Sequence, residues 1–288
     1  MSANPNQQNI AESLTQVPSE FRYLIKGDRK QRIMASMVVV AMVAFYLLGL
    51  YVLEINPLRI ITGLGELGKI VWLMLPPDPE TWERAIRLLF SLIETISIAF
   101  LGTLLAAIIA FPLGFLAARN IVSLRLPQFM MRRGLDSIRG IDTLIWALIW
   151  INVVGLGPFA GVLAIMCSDI GSFGKLFSEA IEAADRKPVE GVKSAGGSHL
   201  DTIRLGIIPQ ILPVMLSQVL YYFESNTRSA TIIGIVGAGG IGLYLAEQIR
   251  TLEWQQASFS ILLILIAVAL IDALSSRIRF AIIGGQQQ

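Results

Sequence analysis

One apolar segment of the chain carries two opposite charges that could act on a ligand. Glu224 and Arg228 stand four residues apart in FESNTRSAT, a spacing that places both on one face of a predicted helix. The small polar residues around them are Ser225, Asn226, Ser229 and Thr231. Ionisable groups inside a membrane are costly unless they pair or meet water, so by default they indicate a functional site. We predict that this face lines a path across the membrane; the alternative is a structural ion pair that locks a dimer.

A glycine-rich run follows the charged segment. Gly237, Gly239, Gly240 and Gly242 fall in GAGGIG, which has the spacing of the dinucleotide-binding G-x-G-x-x-G. That site needs a strand, a turn and a helix, with an acidic residue about twenty positions later. Apolar spans flank the run instead, and residues 256–270 contain no acid. We therefore expect no bound cofactor, and we expect the glycines to let the backbone bend or approach closely at the outer end of the path.

The other reactive residue types are too few for a catalytic or metal site. His199 is the sole histidine and lies in a polar loop, and Cys167 is the sole cysteine and lies in an apolar run. The string GSFGK lacks the spacing of a phosphate-binding loop. We expect no metal and no enzyme activity in this chain, so its energy must come from a partner. Three further acids near the spans, Glu94, Asp142 and Asp169, are predicted either to line a cavity or to cap a helix end.

The composition predicts an all-α membrane protein. Of the 288 residues, 54% are hydrophobic and only 15% charged, and the formal charge of +2 is too small for a nucleic-acid-binding surface. Apolar stretches of about 20 residues, the length that crosses a bilayer, recur about six times. The clusters of Lys and Arg place both termini in the cytoplasm. The predicted segments are an N-terminal tail (1–32), a first transmembrane helix (33–53), a periplasmic or interfacial segment (54–87), a core (88–279) with a polar cytoplasmic loop (184–208), and a C-terminal tail (280–288).

The polar cytoplasmic loop has an informative spacing. Gly196 lies six residues after Glu190, and Pro209 lies thirteen after Gly196. This pattern resembles the EAA loop of binding-protein-dependent ABC importer permeases, in which a short coupling helix docks on a cytoplasmic ATPase. The resemblance implies coupling roles for Glu190, Gly191, Ala195, Gly196, Gly197 and Pro209. The loop departs from the family pattern, since Gly191 and Val192 replace two alanines and Gly206 replaces an apolar residue, and the alternative is an ordinary polar loop.

Longer strings between Glu94 and Arg279 resemble the phosphonate-uptake permease family. They are ETISIAFLGTLLAAIIAFPLGFLAARN, VGLGPFAGVLAI, EGVKSAGGSHLDTI and YYFESNTRSATIIGIVGAGGIG. The resemblance implies a methionine-importer-type core of five helices preceded by one more. It also implies a homodimer in the bacterial inner membrane, working with an ABC ATPase dimer and a periplasmic binding protein. Under it we expect Arg228 to meet a phosphonate, phosphite or phosphate anion while Glu224 holds the arginine, and the glycines to belong to a gate near the binding-protein face.

Two other functions stay open. A permease of the same architecture could carry methionine or another small solute, and the intramembrane arginine is what favours an anion. A membrane-embedded enzyme that uses the glycine-rich run for a nucleotide is the second alternative. One histidine and one cysteine leave it little from which to build a catalytic site.

Overall fold

The part of the chain that the structure describes is mainly helical. A computed structural model describes residues 29–54, 57–122 and 124–284, and these contain α-helices, one π-helical segment and turns, with no strand. The predicted all-α class is therefore confirmed. Most of the predicted N-terminal tail and the last four residues of the predicted C-terminal tail lie outside the described residues.

The chain divides into two compact units, Met1–Gly68 and Lys69–Gln288. In the first unit, α1 (Arg29–Val52) contains the apolar span Ile33–Val52, none of which is buried within the chain. An uncharged span of this length with no buried residue is what a bilayer covers. The next helix, α2 (Pro57–Leu73), runs across the boundary between the units and is not among the helices long and apolar enough to cross a membrane. Its expected place at the membrane interface stays a prediction.

Two long helices form the core of the second unit, α3 (Trp82–Ala117) and α6 (Pro158–Glu182). They approach closely at small residues. A Cβ atom added to Gly102 would lie 2.8 Å from the side chain of Ile165, and one added to Gly114 would lie 2.8 Å from Phe177. Close packing of this kind, through small residues, is how helices associate in lipid, where apolar burial alone gives little.

One of the six predicted crossings is not a full-length helix. The helix α5 (Thr143–Val154) has 12 residues, which span about 18 Å, less than the apolar layer of about 30 Å. The helix before it, α4 (Arg125–Arg139), is bent away from α5 by 85°. Among the described residues, five helices are long and apolar enough to cross a membrane, or six if this bent pair counts as one span. The prediction of about six crossings is met only on that count.

The remaining elements complete the second unit. They are α7 (Arg186–Ser194), the short α8 (His199–Asp201), a π-helical segment (Thr202–Ile207), α9 (Ile208–Ile235), α10 (Ile241–Arg250) and α11 (Trp254–Gly284). The predicted polar loop is thus mostly helical. The sequence predicts neither the π-helical segment nor α10, because hydropathy marks spans and carries no information on hydrogen-bond register.

Candidate functional site

Four charged side chains meet between α9 and α11. Arg279 donates a hydrogen bond of 2.8 Å to Glu224. Arg228 lies 3.5 Å from Asp272 and 3.8 Å from Glu224. We call these four residues the α9–α11 charge cluster. It holds two positive and two negative groups, and this balance lowers the cost of placing charge inside a span.

The two arginines of the cluster differ in exposure and in how closely they are paired. The side chains of Glu224 and Arg279 are 13% and 25% exposed, whereas that of Arg228 is 48% exposed. The Arg228 contacts are longer than hydrogen bonds, so its guanidinium keeps donors available for a ligand. Glu224, which the sequence suggests as the residue that holds Arg228, is itself held mainly by Arg279.

Asn226 points into the subunit, away from the charge cluster. The Asn226 amide donates to the Thr103 hydroxyl at 2.8 Å and to the Asp169 carboxylate, and all three side chains are buried. Thr231 is buried as well. Helical geometry explains the position of Asn226: it is two residues from both charges and so lies about 200° around a helix of 3.6 residues per turn. The six residues predicted to line a path therefore do not share one surface.

The two serines of the run, Ser225 and Ser229, are half-buried. They accompany Glu224 and Arg228 on the less buried side of α9, while the core side carries Asn226, buried between α3 and α6. Four of the six predicted path residues thus stay together.

The glycine-rich run forms a tight turn between α9 and α10. Gly237, Gly239 and Gly240 have φ angles of 107°, 85° and 75°, a left-handed region that favours glycine. A Cβ atom added to Gly242 would overlap the carbonyl oxygen of Thr231. A helix, not a strand, precedes the run, so the dinucleotide-binding unit is absent from this described segment. The gate role of these glycines stays a prediction.

Residues of α3 hold this turn in place. The Glu94 carboxylate accepts a hydrogen bond of 3.0 Å from the Gly240 N–H, and the Thr95 hydroxyl accepts one of 2.8 Å from the Ile241 N–H. The Gly157 N–H, just before α6, donates to the Gly237 carbonyl at 3.0 Å. Glu94 thus caps the start of α10, one of the two roles that the sequence allows it, and a negative group there also suits the helix dipole.

The helix α7 forms an exposed face at one end of the second unit. Asp185 caps its start by accepting from the Lys187 N–H at 3.2 Å. The predicted coupling residues in and just after α7 are Glu190, Gly191, Ala195, Gly196 and Gly197. All are exposed except Gly197, which is half-buried. Gly196 has a φ of 82° and turns the chain sharply after α7. Pro209, the second residue of α9, fits where a helix begins because its missing N–H is not needed there.

The turn after α7 is stabilised by a reciprocal cap. Ser198 accepts from the Asp201 N–H at 3.2 Å, and the Asp201 carboxylate accepts from the Ser198 N–H at 3.0 Å. Hydrogen bonds from the Ser198 hydroxyl and backbone lower the pKa of Asp201 below its usual range.

Gly206 explains one departure from the family pattern. A Cβ atom at this position would lie 3.1 Å from the Cα atom of Val189, so α7 rests directly against the backbone of the π-helical segment. An apolar side chain would push α7 outward.

Asp272 and Arg279 are the residues of the site that the sequence analysis misses. The signal was available, because Asp272 lies inside the last apolar run. Its partner on α9 could not be found, since the pairing of distant helices leaves no spacing in the sequence.

Comparisons with known proteins agree on one family. A family model described as "Binding-protein-dependent transport system inner membrane component" matches residues 81–283. The "Putative phosphite transport system permease protein HtxC" of Stutzerimonas stutzeri is 36% identical over 260 residues, 90% of each chain. The "Putative cryptic phosphonate transport system permease protein PhnE2" of Escherichia coli (strain K12) is 47% identical over 118 residues, 41% of this chain and 97% of that protein.

A solved structure has the same fold. It is titled "Inward facing conformations of the MetNI methionine ABC transporter" and aligns with a TM-score of 0.62 over 70% of this chain and 99% of that one. The two chains are 18% identical, so this likeness concerns the fold alone. The expected methionine-importer-type core is thus confirmed, and the family match begins after α1 and α2.

Proposed function

The chain belongs to the family of binding-protein-dependent transport system inner membrane components, and we propose that it is the permease of an ATP-driven importer of small phosphorus oxyanions. The proposed cargo rests mainly on Arg228, which is half-exposed inside a span. It is also supported by the relatives of this chain, which are named for phosphite and phosphonate transport. A guanidinium matches the paired oxygens of such anions. Phosphonate is our first candidate, with phosphite and phosphate next.

In this proposal, the cargo meets the α9–α11 charge cluster through Arg228. The guanidinium lies 3.5 Å from Asp272, and an oxyanion that offers two or three oxygens competes with that carboxylate. Glu224 remains neutralised by Arg279, 2.8 Å away, when Arg228 turns toward a ligand. Release of Arg228 therefore leaves Glu224 paired, and the carboxylate that loses its partner is Asp272, whose side chain is 41% exposed.

The other residues of the run have supporting roles. Ser225 and Ser229 lie half-buried near Arg228 and can donate hydroxyl hydrogen bonds to an anion. Asn226 and Thr231 hold the inner side of α9 in the bundle. The glycine turn, which joins α9 to α10, acts as the hinge of an outer gate.

The exposed helix α7 is the surface on which an ATPase subunit would dock. Two copies of this chain would enclose the path, each gripped by one subunit of an ATPase dimer, with an external binding protein delivering the anion. Hydrolysis then takes place in the ATPase, and this chain is not an enzyme. Because α7 rests on Gly206, a force on α7 passes directly to the helix that continues into α9 and Arg228. Both termini lie in the cytoplasm in this arrangement.

The cargo can be tested in liposomes that contain the chain with its ATPase and binding protein. ATP-dependent uptake of a labelled alkylphosphonate would be measured beside phosphite, phosphate and methionine. We expect uptake of at least one phosphorus oxyanion and none of methionine. Uptake of methionine alone would agree with a permease function and would refute the proposed phosphorus oxyanion as the cargo. A complex with Glu190→Ala should assemble poorly or transport slowly, which tests the docking of α7 separately.

A further inference from the structure

A second basic surface lies at the end of the unit that carries α7. The Glu182 carboxylate, at the end of α6, accepts from the Arg119 N–H at 2.6 Å and pairs with Arg132 of α4. The Asn120 amide donates to the Ile181 carbonyl at 2.8 Å. These contacts fix α4 beside the segment that leads into α7, so the two helices share one end of the bundle.

The helix α4 is amphipathic, and half of its apolar side has no protein partner. Leu135 packs against Gly174 of α6 and is buried. Leu126 and Met130, on the other part of the apolar side, are 70% and 65% exposed. The polar side carries four arginines and one aspartate: Arg125, Arg132, Arg133, Arg139 and Asp136. A helix with this division lies in the plane of a membrane interface, with the exposed apolar residues in the acyl boundary.

Three arginines in or just before α4 have no ion-pair partner among the described residues, and they are Arg119, Arg125 and Arg139. Arg132 is paired with Glu182, and Arg133 is paired with Asp136, which also binds Lys175. No ion pair joins the side chains of Arg119 and Arg125 to any residue of the described ranges. Both line one open depression of about 510 Å³, together with Val122, Gln128 and Phe129.

From this geometry we propose that the depression between Arg119 and Arg125 binds the phosphate head group of an anionic phospholipid. The charge is complementary, since two unpaired guanidinium groups face one phosphate. The position also fits, because Leu126, Met130 and Phe129 are exposed next to the depression and offer an apolar surface for the acyl chains. The lipid anchors α4 in the interface and so supports the end of the bundle that carries α7.

This proposal does not depend on the cargo. It requires an anionic head group that is attached to acyl chains, whereas a free oxyanion at the same arginines would need no acyl chains. Binding of phosphatidylglycerol is therefore compared with binding of inorganic phosphate, to tell a lipid head group from a free anion.

The first test measures lipid binding to the purified full chain in neutral detergent, by native mass spectrometry. Phosphatidylglycerol should bind more tightly than phosphatidylcholine with the same acyl chains. The double variant Arg119→Gln/Arg125→Gln should weaken phosphatidylglycerol binding about 25-fold, from about fivefold per arginine near an anionic lipid surface. The matched control Lys187→Gln/Lys193→Gln removes the same charge from the exposed α7 and should leave binding within twofold, about the scatter of such a measurement.

Three results would overturn the proposal. They are equal binding of the two lipids, equal loss in both double variants, and displacement of the lipid by millimolar inorganic phosphate alone. A second measurement does not depend on the arginine variants. With Cys167→Ser as background, a spin label at Met130→Cys should lie about 5–10 Å inside the head-group boundary. A label at Arg139→Cys, which is exposed and lies nine residues from Met130, on the opposite face of α4, should stay in water. Equal depths for both labels would refute the interfacial position of α4.

Discussion

Removing Arg279 should destabilise the chain, because Glu224 loses its hydrogen-bonded partner. The bond is 2.8 Å long, and the two side chains are only 13% and 25% exposed. A hydrogen bond to a charged group contributes about 1.5–3 kcal/mol, and breaking a buried ion pair costs about 3–5 kcal/mol. Arg228, 3.8 Å from Glu224, can move in and recover part of that loss. We therefore expect Arg279→Gln to lower the free energy of unfolding by about 2 kcal/mol.

The measurement is reversible unfolding of the full chain in mixed micelles, followed by tryptophan fluorescence. Arg277→Gln is the matched control, because Arg277 is exposed and two residues away; its effect should stay below about 0.5 kcal/mol. The double variant Glu224→Gln/Arg279→Gln removes both charges, so its cost should be smaller than the sum of the two single costs by about 1 kcal/mol or more. Equal stabilities of Arg279→Gln and Arg277→Gln, or strictly additive costs, would refute the view that Arg279 is the main partner of Glu224.

Three further predictions concern packing and coupling. Gly242→Ala should destabilise the chain by about 1–3 kcal/mol through overlap with a backbone carbonyl, whereas Gly134→Ala, which meets nothing within 4 Å, should be neutral or stabilising in thermal unfolding. Gly206→Leu should displace α7 and reduce co-purification of the ATPase without changing insertion into the membrane; unchanged co-purification would show that α7 does not dock in this position. Asn226→Leu should cost about 1–3 kcal/mol by leaving Asp169 without its donor, and the added change Asp169→Leu should recover part of this cost, which a purely steric effect would not allow.

Much of the fold follows from the sequence for a simple reason: lipid demands long, uncharged helices, and hydropathy detects them. Hydropathy does not reveal the bend between α4 and α5, because α4 is basic and amphipathic and is therefore interpreted as a polar stretch before the span. The helix α10 is also not predicted from hydropathy, since its ten residues lie between apolar segments and add no span.

The candidate site was predictable along one helix and not between helices. A spacing of four correctly places Glu224 and Arg228 on one side of α9. The same reasoning fails for Asn226, because grouping it with its neighbours ignores the turn of the helix, which carries it to Thr103 and Asp169. Partners contributed by α11 depend on the tertiary pairing of α9 with α11, which a single sequence does not reveal.

The most direct test of the account is uptake by the reconstituted complex with and without Arg228. Complexes that contain wild-type chain, Arg228→Gln or the control Arg277→Gln would be matched for assembly with the ATPase and binding protein, and ATP-dependent uptake of a labelled alkylphosphonate would be measured. We predict uptake by the wild type and the control, and loss of uptake in Arg228→Gln with assembly intact. Wild-type uptake rates in Arg228→Gln would contradict the proposed path, and loss of the assembled complex would instead make Arg228 part of a structural ion pair.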